Sequence, residues 1–247
     1  MTPPAIGVSD LPVLTRRIEW MRGGTALLAA TLRSLEGTDP AAPSLLIGWT
    51  RGHVLAHIDQ NAAALHNLLT WALTEIPTPM YASPNEREQG IDAGAHLPMD
   101  VLLGQVEASA AALDAAVSGL PPDRWSYPVK SALGRDIAVA EVPWLRTREV
   151  WVHCVDLSAG VGFESIPPDI ARAMVDDVSV AVGAKLTGPG FSLVLTDEPG
   201  VVIALGAEPD GVVRGRTADV LAWLTGRGHP TALVHDHGDL PTLPTWI

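Results

Sequence analysis

The chain has 247 residues, of which 47% are hydrophobic and only 18% charged, enough apolar material for one large domain or a bundle with a smaller second domain and too much for a disordered chain. Its net charge of −12 excludes the basic footprint that non-specific nucleic-acid binding needs. The single cysteine, Cys154, excludes an internal disulfide; with no signal-peptide pattern at the N-terminus and no apolar run approaching a membrane span, a cytoplasmic protein is expected.

The first 160 residues read as four long helices. The first is expected over about Leu11 to Leu35, with Ser9 and Asp10 as cap candidates and Gly37 as a stop. The second opens after Thr50, a good N-cap, and continues through Leu73. Pro77, Pro79 and Pro84 then enforce a long irregular connection that also carries Arg87. The third runs from near Pro98 to about Ser118, with Val106, Ala110, Leu113 and Val117 in helical period. Pro121 and Pro122 break the chain, and a loop through Tyr127, Pro128 and Gly134 leads to a fourth helix over about Ala140 to Ala159. Pro143 is tolerable in its first turn.

After Gly162 the pattern changes. Pro168 to Leu186 reads as one more helix. Phe191 to Thr196 and Val201 to Leu205 read as strands joined through Asp197-Glu198-Pro199-Gly200, a hairpin signal. Arg214 to Thr225 reads as a short amphipathic helix followed by Gly226-Arg227-Gly228. The expectation is a small α+β domain, with a boundary near residues 160–167.

Glu149 and His153 stand four apart, so on a helix they lie about 6 Å from each other along the axis. In the second helix Val54, Ile58, Asn61, Leu65, Leu68 and Ala72 define the buried stripe, with His57 at its edge. His53 is rotated about 40° further outward. Val142, Leu145, Glu149, Val152, His153 and Asp156 share a stripe of the fourth helix. A buried Glu or His left unpaired costs several kcal/mol. A divalent metal held by His57, Glu149 and His153 would satisfy all three, and two nitrogens with one oxygen suit zinc with a fourth position open. The alternative stays open: a core histidine bonded to a carbonyl, with Glu149 paired to Arg146 or Arg135.

Other candidates carry less. Cys154 sits about 100° around the helix from His153 and reads as a small buried hydrophobe. His235 and His237 read as a loop pair with no carboxylate-rich partner motif. Arg227, flanked by two glycines past a helix end, can turn its fork toward an anion; Arg87 is a weaker candidate of the same kind. No dinucleotide fingerprint, P-loop or Gly-x-Ser-x-Gly elbow occurs.

With these motifs assembled, the chain resembles the mycothiol-dependent maleylpyruvate isomerases of the DinB-like four-helix metalloprotein superfamily. The resemblance is carried by Leu-Ile-Gly-Trp-Thr-Arg-Gly-His-Val-Leu-Ala-His (46–57), Thr-Pro-Met-Tyr-Ala-Ser-Pro (78–84), Arg-Glu-Val-Trp-Val-His-Cys-Val-Asp-Leu (148–157) and Gly-Arg-Gly (226–228). It implies a DinB-like four-helix bundle over residues 1–162 and a small α+β C-terminal domain over 163–247 that contributes Arg227 to the site. It implies Zn2+ on His57, Glu149 and His153, where the superfamily more often has histidine in place of Glu149. The implied activity is conversion of maleylpyruvate to fumarylpyruvate in gentisate breakdown, with mycothiol as the thiol that adds to the double bond, lets it rotate and leaves. Arg227 is expected to clamp a substrate carboxylate, with Asn61 and Arg87 beside the cofactor. A cytoplasmic monomer acting on a small dicarboxylate is expected, with neither nucleic acid nor membrane as partner. Two alternatives differ in outcome: a mycothiol S-transferase, which consumes the thiol, and a non-catalytic bundle stabilised by its metal.

Overall fold

The computed structural model describes residues 11–228 and 230–246. The cap candidates Ser9 and Asp10 lie outside the described residues. The chain divides into two units, the first ending at Gly160 and the second beginning at Val161.

In the first unit, helices α1 (Leu11–Leu35), α2 (Arg51–Thr74), α4 (Met99–Gly119) and α5 (Val142–Asp156) form a bundle in which α1 packs on α5 and α2 on both α4 and α5. Thr50 caps α2 as expected: its hydroxyl accepts from the His53 N–H. The Val54, Ile58, Asn61, Leu65, Leu68 and Ala72 stripe is buried throughout. Close packing of α1 on α5 depends on Gly24, where a Cβ would stand 2.3 Å from Val150 Cγ2 and 2.8 Å from Trp151 Nε1. Helix α5 ends at Asp156, three residues before the expected Ala159. Helix α4 is long and apolar enough to cross a membrane by length and composition, contrary to the sequence expectation. Its alanines raise the hydropathy, while Leu102, Val106, Ala110, Leu113 and Val117 bury one stripe.

Two elements of this unit correct the sequence reading. Irregular chain runs only to Ser83, and Pro84–Ala95 form helix α3, so Arg87 is helical rather than part of a loop. Ser83 caps it by accepting from the Glu86 N–H at 3.1 Å. Gly90 and Gly94 lower its helix propensity, which hid it. Tertiary contact repays this: Ile91 and Ala95 are buried, and Gly94 lets α3 approach α2, where a Cβ would lie 2.8 Å from the Ala56 Cβ. The loop expected around Tyr127 to Gly134 contains strand β1 (Pro128–Lys130), which pairs antiparallel with β2 (Asp136–Ala138).

The second unit is α+β. Helix α6 (Pro168–Gly183) precedes a four-stranded sheet ordered β4-β3-β5-β6. The expected hairpin is present: β3 (Phe191–Leu195) pairs antiparallel with β4 (Val202–Leu205). Phe191, Leu193 and Leu195 turn inward in strict alternation. Arg214 and Gly215 belong to β5 (Val212–Gly215), parallel to β3, and not to the following helix, a correction that follows from the β-branched pair Val212-Val213. Helix α7 is therefore shorter than expected, Thr217–Leu224, and Asp197 accepts from both the backbone N–H and the hydroxyl of Thr217. A two-residue strand β6 (Val234–His235) pairs antiparallel with β5.

Candidate metal centre

Three side chains from two helices converge inside the first unit. His57 on α2 places Nε2 2.8 Å from Glu149 Oε2 on α5, and His153, one turn beyond Glu149, places its own Nε2 3.2 Å from the same oxygen. The imidazoles meet edge-on with centroids 4.7 Å apart. Only 7%, 16% and 6% of the His57, Glu149 and His153 side chains is exposed. Each offers a ligand atom within 4.8 Å of the others.

The proton arrangement follows from what each nitrogen faces. His153 Nδ1 lies 2.7 Å from Oδ2 of Asp156, which is fully buried. With a carboxylate on each nitrogen, His153 is placed to donate twice, which favours the imidazolium: burial works against the charge, but the bonds to Asp156 and Glu149 raise its pKa above the ordinary value. His57 differs, since its Nδ1 faces the Arg87 guanidinium, with Nη2 at 3.3 Å. Arginine only donates, so Nδ1 accepts and the single proton sits on Nε2, toward Glu149. Burial lowers the His57 pKa despite the Glu149 bond, which keeps this ring neutral. Burial alone would raise the Glu149 carboxyl, yet hydrogen bonds from His153 and His57 hold it well below its ordinary range.

The donor set fits a divalent transition metal. Two imidazole nitrogens and a carboxylate oxygen are zinc-type ligands. Asp156 behind His153 supplies the outer carboxylate that orients a ligating ring and raises its basicity. Two features stand against a loaded site: the proton that His153 Nε2 directs at Glu149 must leave before that nitrogen can ligate, and ligation through His57 Nε2 moves that ring's proton to Nδ1, where the Arg87 guanidinium cannot donate.

His53 is not part of this group. It is half-buried beside Trp49 and His96, and its Nδ1 completes the α2 cap by accepting from the Thr50 N–H at 3.2 Å. Asn61 is buried, with its carbonyl oxygen committed to Arg146 Nη1 at 2.9 Å. Cys154 is fully buried, and burial pushes its thiol up to about 12, which excludes a thiolate at neutral pH. Arg227 lies in the second unit, its Nη1 donating to the Thr225 carbonyl at 2.7 Å.

Two residues escaped the sequence reading. Arg146, considered there only as an ion partner for Glu149, is completely buried and donates from Nη1 to the Ile58 carbonyl and to Asn61. Its Nε and Nη2 have no hydrogen-bond partner among the described residues, and burial pulls its pKa down to about 10 against the pull of Glu149. The signal was the spacing Val142, Arg146, Glu149, His153, which steps four, three and four along one helix face. Tyr81 is the other. Burial raises its pKa, and it shares a hydrogen bond with Arg87, the residue on His57. It also lines a cavity of about 630 Å³ with Asp59, Gln60, Asn67 and Glu86.

The profile of the mycothiol maleylpyruvate isomerase N-terminal domain matches residues 21–158. A crystal structure of the mycothiol-dependent maleylpyruvate isomerase is similar to the chain at 37% identity and TM-score 0.85, covering 94% of this chain and 97% of that one. A histidine-to-alanine mutant of that isomerase is similar at 36% identity and TM-score 0.87, with the same coverage. Among curated proteins no relative matches the chain.

Proposed function

Because the chain belongs to the mycothiol-dependent maleylpyruvate isomerase family, we propose that it isomerises maleylpyruvate to fumarylpyruvate, a step of gentisate breakdown, with mycothiol as thiol cofactor. The observation that carries this reading is the convergence of His57 and His153 on one oxygen of Glu149, in a chain that follows its relatives over nearly its whole length. These three side chains would hold Zn2+. A bound zinc ion supplies the positive charge that lowers the pKa of a coordinated thiol into the neutral range.

The protein's own groups account for the rest. Asp156 fixes the His153 ring through its far nitrogen. Arg146, held by Asn61 and the Ile58 carbonyl, puts a buried positive charge within the field of Glu149, while the bonds from His153 and His57 hold that carboxylate anionic. Arg87, which faces His57 Nδ1 and shares a hydrogen bond with Tyr81, would be the donor for a substrate carboxylate wherever that nitrogen carries the ring's proton. The cavity beside Tyr81 has carboxylates at Asp59 and Glu86 and amides at Gln60 and Asn67. That lining repels a dicarboxylate and suits the neutral hydroxyls of a sugar-linked thiol. Arg227 is proposed as a second carboxylate clamp, for which a bidentate guanidinium is the fitting group.

The deciding experiment follows maleylpyruvate turnover by the zinc-loaded protein with and without mycothiol, while thiol concentration is monitored. Fumarylpyruvate formed only with thiol, and with none consumed, supports the proposal. Stoichiometric thiol loss would assign an S-transferase instead, and zinc binding without any turnover would leave a structural metal.

A further inference from the structure

We propose that the second unit carries a separate transition-metal site, in which His235 Nε2, Asp236 Oδ1 and His237 Nδ1 gather over Gly211 to take a divalent ion of the zinc class. These donors lie within 4.8 Å of one another, and their directions converge. A Cβ built on Gly211 would stand 2.6 Å from His235 Nε2, 3.2 Å from Asp236 Oδ1 and 3.2 Å from His237 Nδ1. Gly211 has a φ of +93° and no side chain, so the chain leaves open the very space that the three donors face.

His235 makes this more than a cluster of polar side chains. Only 7% of its side chain is exposed, and its Nε2 is buried without a hydrogen-bond partner among the described residues. Its other nitrogen, Nδ1, lies 2.7 Å from the Asp239 carbonyl. A carbonyl only accepts, so Nδ1 carries the proton and Nε2 presents a bare lone pair, the tautomer that a ligating histidine needs. Asp236 Oδ1, 3.8 Å from that nitrogen, is an acceptor and cannot satisfy it. A buried acceptor of this kind calls for a partner, and a cation supplies one.

Neighbouring groups hold and charge the site. The Val212 N–H donates to Asp236 Oδ1 at 2.7 Å, which fixes the carboxylate. Arg214 Nη1 stands 3.8 Å from the other oxygen, Oδ2, and leaves Oδ1 facing the cradle. Asp210 adds a second negative charge, its Oδ1 3.9 Å from His237 Nε2. Pairing of β6 with β5, which sets Val213 opposite His235, fixes the strand that bears the triplet. Two imidazoles and one carboxylate select zinc, nickel or copper over calcium or magnesium. His237 is exposed, so it is free to close on the fixed Asp236 and His235 by the fraction of an ångström that ligation requires, and it leaves further positions to water. The ion would clamp the short outer strand to the Gly211 turn.

The test is equilibrium dialysis of the metal-stripped, untagged full-length chain against Zn2+ alone, with folding of every variant checked by circular dichroism. Two equivalents are expected in the wild type. His237→Ala, at a residue with a 54% exposed side chain, should keep the bundle's equivalent and weaken the other by at least about 100-fold, since loss of even an outer-shell partner costs 10–100-fold. His235→Ala should do the same, while His57→Ala should lose the bundle's equivalent alone. If the wild type takes up a single equivalent, the variants identify it: loss in His237→Ala upholds this site and refutes the bundle's, and loss in His57→Ala does the reverse. Two full equivalents in both His235→Ala and His237→Ala would overturn the proposal.

Discussion

Replacing Asp156 by Asn isolates the contribution of one buried charge to the bundle's metal site. The carboxylate is fully buried and lies 2.7 Å from His153 Nδ1. An amide oxygen in its place still accepts from the ring, so the histidine keeps its orientation and loses only the charge behind it. A charged hydrogen bond is worth about 1.5–3 kcal/mol and a neutral one about 0.5–1.5, so the difference is roughly 1–1.5 kcal/mol. That converts to about a tenfold loss of zinc affinity, the lower end of the 10–100-fold known for outer-shell partners of metal-bound histidines. Competition with a chromophoric zinc chelator at neutral pH measures it, with circular dichroism to establish that the variant is folded. A folded Asp156→Asn with zinc affinity within twofold of wild type would show that His153 does not ligate through the nitrogen assigned to it.

Gly24→Ala tests the crossing of α1 on α5. The added methyl would stand 2.3 Å from Val150 Cγ2; overpacking costs about 1–3 kcal/mol against about 1 kcal/mol of helix propensity regained. A lower urea midpoint is expected, and an unchanged or higher one would mean that the helices are not in close contact there. In the metal-free protein, Glu149 has a folded pKa well below its ordinary 4.5, so it contributes stability that is present above pH 4.5 and lost as pH falls through the folded value. Urea midpoints between pH 3 and 7 should drop in acid, and Glu149→Gln should flatten that limb; an unaltered acid limb in the variant would place the titration elsewhere. Cys154, with its thiol pushed up to about 12, should resist a thiol reagent at pH 8 in the native protein and react on denaturation. Rapid native labelling would contradict its burial.

The parts of the fold legible in the sequence were those governed by local pattern. The 3.6-residue period exposed α1, α2, α4 and α5, and the same period chose His57 over His53 as the inward histidine. Asp197-Glu198-Pro199-Gly200 marked the β3–β4 turn because turn chemistry is local. What stayed hidden depends on partners distant along the chain. Helix α3 carries weak helix formers and is fixed by α2; β5 is fixed by parallel pairing with β3, a contact that no short window contains. Within the site, the Glu149 and His153 spacing was readable as four residues on one helix. The commitment of Asn61 to Arg146 joins residues 85 apart, and Arg87 reached His57 only through a helix that the prolines had concealed. The His235, Asp236 and His237 triplet was visible as letters, but its convergence depends on Gly211, contributed from the far side of strand β5.

Charge balance in the bundle core links metal uptake to proton release. Around Glu149 the carboxylates of Glu149 and Asp156 face three cationic groups, the Arg146 and Arg87 guanidiniums and the protonated His153 ring, while His57 is neutral. A divalent ion therefore enters a site already compensated, and two protons stand in its way. The one on His57 Nε2 moves to Nδ1 within the same ring and breaks the contact with Arg87. The one on His153 Nε2 has no acceptor left, because Asp156 already receives the proton on Nδ1. It must leave the protein. Below the raised pKa of His153, zinc binding should release about one proton per ion, and affinity should rise about tenfold per pH unit until that pKa is passed. Calorimetric titration at pH 6 in two buffers of different ionisation enthalpy counts the proton directly. Zero release would mean that His153 is already neutral in the empty site, and would remove the need for Asp156 and Glu149 to share it.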